Sequence, residues 1–259
     1  MFHTTGRKGI LALAVTLCLS MVAAPGLAQF NSVQSAPYDY LLEFEVVRTQ
    51  ALLAEKGFYR GPVDGTEREA MTHAILAFHK AADLERTTTL TPGDLSILEA
   101  WEPQVPEMPD QPDRLEVDIE RQVMYLVNEG VVVSTLPISS GNGELYRSYR
   151  PGVGLTRANT PRGNYEFYYH IPRWRYAPLG GLYKPWYFRG GFAIHGSTSV
   201  PAYPASHGCI RVTLEDADWL AERLSIGMAI NVRDTIPRNP TPTPVPMSRP
   251  FTDPLGMYS

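Results

Sequence analysis

From Pro103 to Pro112 every third residue is proline, and a chain punctuated in this way continues neither a helix nor a hydrogen-bonded ladder. The stretch 102–112 is read as a semi-rigid, extended connector. It divides the 259-residue chain into two parts whose apolar residues recur with different periods. The fold class expected is two domains: a small all-α three-helix unit over 40–101, and a mostly-β unit with one clear helix over 113–234.

Upstream of the prolines the pattern is helical. Leu41, Leu42, Val46, Val47, Leu52 and Leu53 recur at spacings of three, four and seven, which is the stripe of an amphipathic helix. Gly57 ends it, and Gly61 to Gly65 reads as a turn with two glycines. Thr66 followed by Glu69 has the spacing of a capping box for a second helix carrying Met71, Ile75, Leu76 and Phe78. A third helix is expected to start at Thr91-Pro92-Gly93-Asp94 and to carry Leu95, Ile97, Leu98 and Trp101.

Downstream the period changes to two. Leu115, Val117 and Ile119 alternate with Glu116, Asp118 and Glu120, and two further strands, Val123 to Val127 and Val131 to Ile138, flank Asn128-Glu129-Gly130. Asn128 and Gly130 are the residues expected to take left-handed conformations in that hairpin. Strands are also expected at Gly163 to Ile171, Phe192 to His195 and Met228 to Val232, with a helix from a Thr213/Asp216 capping box to Leu224. Tyr146 to Tyr187 is dense in Tyr, Arg, Trp and Gly without alternation, and reads as surface loops lining a cleft. From 235 to 259 the chain is again rich in proline and is expected to be disordered or extended.

The N-terminus has a basic start (His3, Arg7, Lys8), an apolar run from Ile10 to Ala24, and small residues Gly26 and Ala28. This is the pattern of a secretory signal peptide over 1–28, cleaved after Ala28, with 29–39 as a short N-terminal segment. A retained anchor is the competing reading. The protein is therefore expected to be exported, to the periplasm or cell wall, with no stable membrane insertion once the signal is removed. A formal charge of −4 without basic runs excludes nucleic acid as an obvious partner. The histidines and cysteines are not at zinc-like spacing, so no metal and no cofactor are expected.

Of the two cysteines, Cys18 leaves with the signal, and Cys209 becomes the sole thiol. It lies in Ser206-His207-Gly208-Cys209-Ile210-Arg211-Val212, fourteen residues after His195. A histidine within reach can produce and stabilise a thiolate, and a loop bent at Gly208 ahead of a helix adds backbone N–H groups. Taken alone, a buried cysteine is more often a small apolar residue, and a nearby histidine often satisfies loop carbonyls.

Ile194-His195-Gly196-Ser197 together with Ser206-His207-Gly208-Cys209-Ile210-Arg211-Val212 resembles the signature of L,D-transpeptidases of the YkuD type, and Thr160-Pro161-Arg162-Gly163-Asn164-Tyr165 is similar to a further element of that family. The resemblance covers about residues 113–234 and implies a YkuD-like β-sandwich. It also implies a reaction that cross-links peptidoglycan. Cys209 would attack the bond between the diamino acid of a donor tetrapeptide and its terminal D-Ala, releasing D-Ala and leaving a thioester for an acceptor amine. His195 would be the base, and Gly196, through its carbonyl, and Ser197, through its hydroxyl, would orient the imidazole. His207 would support the loop, and the amides of His207, Gly208 and Cys209 would receive the oxyanion. Arg211, Ser206 and Tyr203 would contact substrate, Arg211 through a carboxylate or else in a structural salt bridge. An L,D-carboxypeptidase using water as acceptor, and a catalytically silent wall-binding protein, are the alternatives.

Residues 40–101 resemble the three-helix peptidoglycan-binding domain, on the strength of Gln50, the Gly57-Phe58-Tyr59-Arg60-Gly61-Pro62-Val63-Asp64-Gly65 turn and Ala74 to Phe78. That likeness implies glycan as a partner beside the stem peptides. A helical spacer packed on the main domain is the other reading of the same residues.

Overall fold

The structure is a computed structural model that describes residues 36–149 and 151–237. The signal sequence expected over 1–28 and the tail beyond Pro237 lie outside the described residues. Three helices come first, α1 (Ala36–Glu55), α2 (Glu69–Ala81) and α3 (Pro92–Glu99). Among the described residues no helix is long and apolar enough to cross a membrane.

Thr66 does not cap α2. The helix starts at Glu69 with Arg68 in the N-cap position and no side-chain cap. Thr66 is committed to the preceding turn, where its N–H donates to the Asp64 carboxylate and its carbonyl accepts from Gln50 and Arg68. Buried Gln50 holds the same turn from α1, accepting the Asp64 and Gly65 N–H groups at 3.0 Å. Thr91 and Asp94 do form a reciprocal capping box on α3.

The second part consists of two five-stranded sheets and a hairpin. Its elements are β1 (Arg114–Asp118), β2 (Val123–Asn128), β3 (Val131–Pro137), β4 (Leu145–Arg147), β5 (Leu155–Arg157), β6 (Gly163–Glu166), β7 (Tyr169–His170), β8 (Trp174–Ala177), β9 (Gly180–Arg189), β10 (Phe192–Gly196), β11 (Ile210–Val212), α4 (Leu214–Ala221) and β12 (Ala229–Arg233). One sheet runs β3-β2-β1-β12-β6; the other runs β11-β10-β9-β7, with β8 paired to β9. Leu115, Val117, Met124, Leu126, Ile230 and Val232 from the first meet Phe167, Trp186, Phe188, Ile194, Ile210 and Val212 around the second. The inner faces of a β-sandwich supply such a core.

Several local expectations change. The β2–β3 turn places Glu129 and Gly130, not Asn128, at positive φ. That is the pair a two-residue hairpin of the I′ type requires. Tyr146 to Tyr187 is not a set of loops, because it supplies β5 to β8 and most of β4 and β9. The α4 helix ends at Ala221 rather than Leu224, and its capping box is only half made. Thr213 accepts the Asp216 N–H, but the Asp216 carboxylate turns away to Arg60.

The helices do not stand apart from the sandwich. Leu53, Phe58, Phe78, Leu98 and Trp101 share one core with Val123 and Tyr125, the residues of β2 that point away from the inter-sheet core. Ile236, placed in the tail by composition, is buried in that same core, and its N–H donates to the Asp118 carboxylate. The proline-rich connector is likewise fastened down. Carbonyls of Pro106 and Gln111 accept from the Arg114 guanidinium, and Met108 and Gln111 take the Asn231 amide.

Beneath the connector, the polar side of β1 is as buried as its apolar side. Arg114 lies 2.7 Å from Glu116, which also accepts from Arg233 and Asn231. Ions taken out of water need such complete pairing, and removing one partner strands the other. Glu116→Ala is therefore expected to destabilise the fold by roughly 3–5 kcal/mol, read as a fall in the denaturant midpoint.

Lys80 on α2 is also buried, donating to the Ile138 carbonyl at 2.9 Å. Burial, helped by the nearby Arg86 charge, lowers its pKa to about 7. An unfolded lysine titrates near 10.4, so the folded state disfavours the charged form and stability should climb as pH rises from about 7 to about 10. In Lys80→Met that climb should be flattened, measured as Tm against pH across this range.

Candidate active site

Parallel pairing of β10 with β11 sets the site. Ile194 faces Ile210, His195 faces Arg211, and Gly196 faces Val212 across the ladder. Ile194, Ile210 and Val212 point into the core, so the alternation of a strand turns His195 and Arg211 to the opposite face. Cys209 directly precedes β11 and sits one step along that face from Arg211.

The His195 side chain is 6% exposed, and its Nδ1–H donates to the Gly196 carbonyl at 2.9 Å. This contact fixes the tautomer and leaves Nε2 as the acceptor. Burial lowers the imidazole pKa to about 4; the Gly196 carbonyl opposes that shift and the Arg211 charge adds to it. At neutral pH the ring is a neutral base.

Cys209 is partly exposed, but the protein packed around its sulfur pushes the thiol pKa up, against the pull of the Ala193 N–H and the Arg211 charge. Sγ contacts the Gly191 carbonyl at 3.8 Å, and among the described residues it makes no hydrogen bond to His195. Contacts of this kind often tighten only when substrate is present.

The loop that delivers Cys209 is fixed by its own Ser206 and by two neighbouring segments. Buried Ser206 accepts the Gly208 N–H at 3.0 Å and donates to the Cys209 carbonyl at 2.5 Å. Thr160 accepts the Gly141 N–H and donates to the Gly208 carbonyl, each at 2.9 Å. The Ser140 carbonyl takes the N–H groups of Ala205 and Ser206, while Ser139 exchanges two backbone bonds with Arg211. Gly208 has φ +129°, and a Cβ there would lie 2.6 Å from the Phe192 ring and 2.9 Å from the Asn159 carbonyl. Only glycine fits this bend.

Not every residue expected at the site faces it. The Ser197 hydroxyl bonds Ser199 and not the imidazole. Ser206 is occupied in holding the loop, and the Gly208 N–H it binds is withdrawn from any oxyanion hole. His207 is exposed, edge-on to Tyr146 of β4 at 4.8 Å. Tyr203 is 63% exposed, with its carbonyl held by the Ser139 hydroxyl. Arg211 is partly buried and makes no ion pair with a carboxylate among the described residues.

Tyr187 was not singled out from sequence. It pairs with Ala193 in the ladder, stacks on Tyr169 at 5.9 Å, and has the Arg175 guanidinium 5.7 Å from its ring. Burial raises its pKa, and because its ladder partner Ala193 shares the strand parity of His195, its phenol belongs to the same face. The signal lies in Trp186-Tyr187-Phe188, where the two flanking rings enter the inter-sheet core and the middle one turns to the opposite face, where it is buried too. A cleft of about 390 Å³ opens elsewhere, between Arg60 and His73 on one side and Ser197, Thr213 and Asp216 on the other; neither His195 nor Cys209 lines it. No group of three or more His, Cys, Asp or Glu residues suited to a metal comes together among the described residues.

Comparison with known proteins agrees with this geometry. Residues 112–237 match the family model of the YkuD L,D-transpeptidase catalytic domain. An L,D-transpeptidase structure from Xylanimonas cellulosilytica, residues 123–326, is 35% identical over 73% of this chain and 93% of that one, with a TM-score of 0.68. That coverage exceeds the span of the family match and so takes in residues outside 112–237. An L,D-transpeptidase from Stackebrandtia nassauensis shares 20% identity over 75% of this chain and 92% of that one, with a TM-score of 0.44. No curated protein matches. Identity of this order across nearly the whole Xylanimonas domain, together with the catalytic-domain match, places the chain in the L,D-transpeptidase family.

Proposed function

We propose that the protein is a cysteine-dependent L,D-transpeptidase that cross-links peptidoglycan outside the cytoplasm, exported by way of residues 1–28. The observation that carries this reading is a neutral His195, oriented through Nδ1 by the Gly196 carbonyl, on the same sheet face as the Cys209 thiol.

At rest both groups are uncharged, because burial disfavours the thiolate and the imidazolium alike. His195 Nε2 takes the thiol proton as Sγ attacks the carbonyl between the diamino acid and D-Ala of a donor tetrapeptide. The carbonyl oxygen becomes an oxyanion; with the Gly208 N–H engaged by Ser206, the backbone amides of His207 and Cys209 remain its assigned donors. Collapse breaks the C–N bond, and the imidazolium returns its proton to the departing D-Ala amine. The thioester then meets an acceptor amine, whose proton passes to His195 while the C–S bond breaks and the thiol is restored.

Arg211 has two roles in this scheme. Its charge favours the developing thiolate, and its guanidinium, unpaired with any described carboxylate, is a fitting partner for a substrate carboxylate. Tyr187, Tyr169 and Arg175 continue the same face and supply flat surfaces and a further cation for the stem.

The test is incubation of the mature protein with a disaccharide-tetrapeptide, with products read by mass spectrometry. Release of D-Ala with a cross-linked dimer is expected. Release with monomer alone would assign an L,D-carboxypeptidase, and no turnover, or equal turnover by Cys209→Ala, would overturn the nucleophile. His195→Ala should lower turnover by at least about a hundredfold, the scale of general-base catalysis.

Because the thiol pKa is raised and that of His195 is lowered, the reactive neutral pair persists between them, and the rate of D-Ala release should stay level from about pH 6 to pH 8 without a break near 6.5. An inflection close to 6.5 in kcat/KM would mean that His195 titrates as a solvated imidazole and is not the buried base.

A further inference from the structure

Two segments grip the strands and loop that bear His195 and Cys209, and each is held in turn by a basic side chain from the helical part. The first is the strap 138–142. Its Ser139 exchanges backbone bonds with Arg211, its Ser140 carbonyl takes two amides of the 205–206 turn, and its Asn142 N–H donates to the Ser206 carbonyl. The Gly141 N–H reaches Thr160, which holds Gly208. At the head of this strap, the Ile138 carbonyl accepts a hydrogen bond from the buried Lys80 Nζ of α2 at 2.9 Å.

The second is the 197–206 loop that joins His195 to Cys209. Arg86, which follows α2, donates through one nitrogen to the Ala202 carbonyl at 2.8 Å and through the other to the Glu120 carbonyl at 2.7 Å. One planar guanidinium thus ties the loop to the turn after β1, a fork that the single point charge of lysine cannot reproduce. The neighbouring Tyr203 carbonyl is held from the strap by Ser139, so strap and loop meet there. Arg60 makes a third tie from the helical part, to Asp216 at the start of α4.

We propose that the helical segment is a working part of the catalytic unit, with Lys80 and Arg86 as positioning residues that set Cys209 against His195 through the Ile138 and Ala202 carbonyls. It rests on Cys209 as the nucleophile, but not on which acceptor takes the thioester. Neither side chain reaches the thiol; each fixes a backbone carbonyl from which the reactive loop is suspended. Displacement of a reacting atom by even about 1 Å can cost on the order of a hundredfold in rate, so small slackening of these carbonyls has a large effect.

The experiment uses the full mature chain as wild type, Arg86→Met, Arg86→Lys and Lys80→Met. Two rates are read: D-Ala release from a disaccharide-tetrapeptide, and alkylation of Cys209 by iodoacetamide across pH, with Tm measured alongside. For Arg86→Met, kcat is expected to fall about tenfold at unchanged KM. The alkylation profile should be displaced, Tm should stay within about 3 °C of wild type, and Arg86→Lys should recover part of the loss. Lys80→Met should lower kcat in the same way. Wild-type kcat and alkylation in both methionine variants would overturn the proposal, as would losses that merely track a falling Tm. Absence of D-Ala release by wild type would refute the transpeptidase reading, while the alkylation profiles would still decide the brace.

Discussion

The ladder between β10 and β11 is three residue pairs long, and the site hangs on it. With Ile194, Ile210 and Val212 locked in the core, the alternating pleat leaves His195 and Arg211 one face to occupy, and Cys209 follows at the strand's entry. A slip of one residue would bury the imidazole and expose the isoleucines, so the apolar core guards the chemistry. Gly208, bent between the Phe192 ring and the Asn159 carbonyl, and Ser206, bonded to both sides of it, keep the entry to β11 from drifting.

Much of this was legible in the residues. The period change across the prolines separates helices from strands, and the Thr91 box, the β2–β3 hairpin and the helix after Thr213 all appear where the sequence puts them. The failures share a cause. Thr66, Asp216 and Ser197 each have an expected local partner, and each is taken by a competing one: Thr66 by the turn that Gln50 organises, Asp216 by Arg60, and Ser197 by Ser199. A polar side chain satisfies whichever neighbour the fold presents, and for Arg60 and Asp216 that neighbour is 156 residues away. Tyr146 to Tyr187 misled for another reason. Its strands are short, two-sided in polarity and mostly at sheet margins, so the period-2 signal is weak.

Polar groups distribute between the two parts of the molecule in an instructive way. The apolar joint between helices and sandwich, built on Phe58, Phe78, Trp101 and Tyr125, supplies non-directional attraction. Direction comes from Lys80, Arg86 and Arg60, which reach the β part through defined bonds to Ile138, to Ala202 and Glu120, and to Asp216 and Ser134. Hydrophobic contact alone would let the helices slide over β2, and these bonds define one position.

The proline-rich connector carries a meaning of its own. In a beads-on-a-string protein, spacer length is a free variable, and insertions change only reach. Here the spacer roofs the Arg114–Glu116 pair and binds it through its own carbonyls, so its length is set by the charges beneath. Lengthening it would uncover ions rather than extend a tether. Across relatives, variation in this stretch should therefore travel together with β1 and β12, which carry Arg114, Glu116, Asn231 and Arg233.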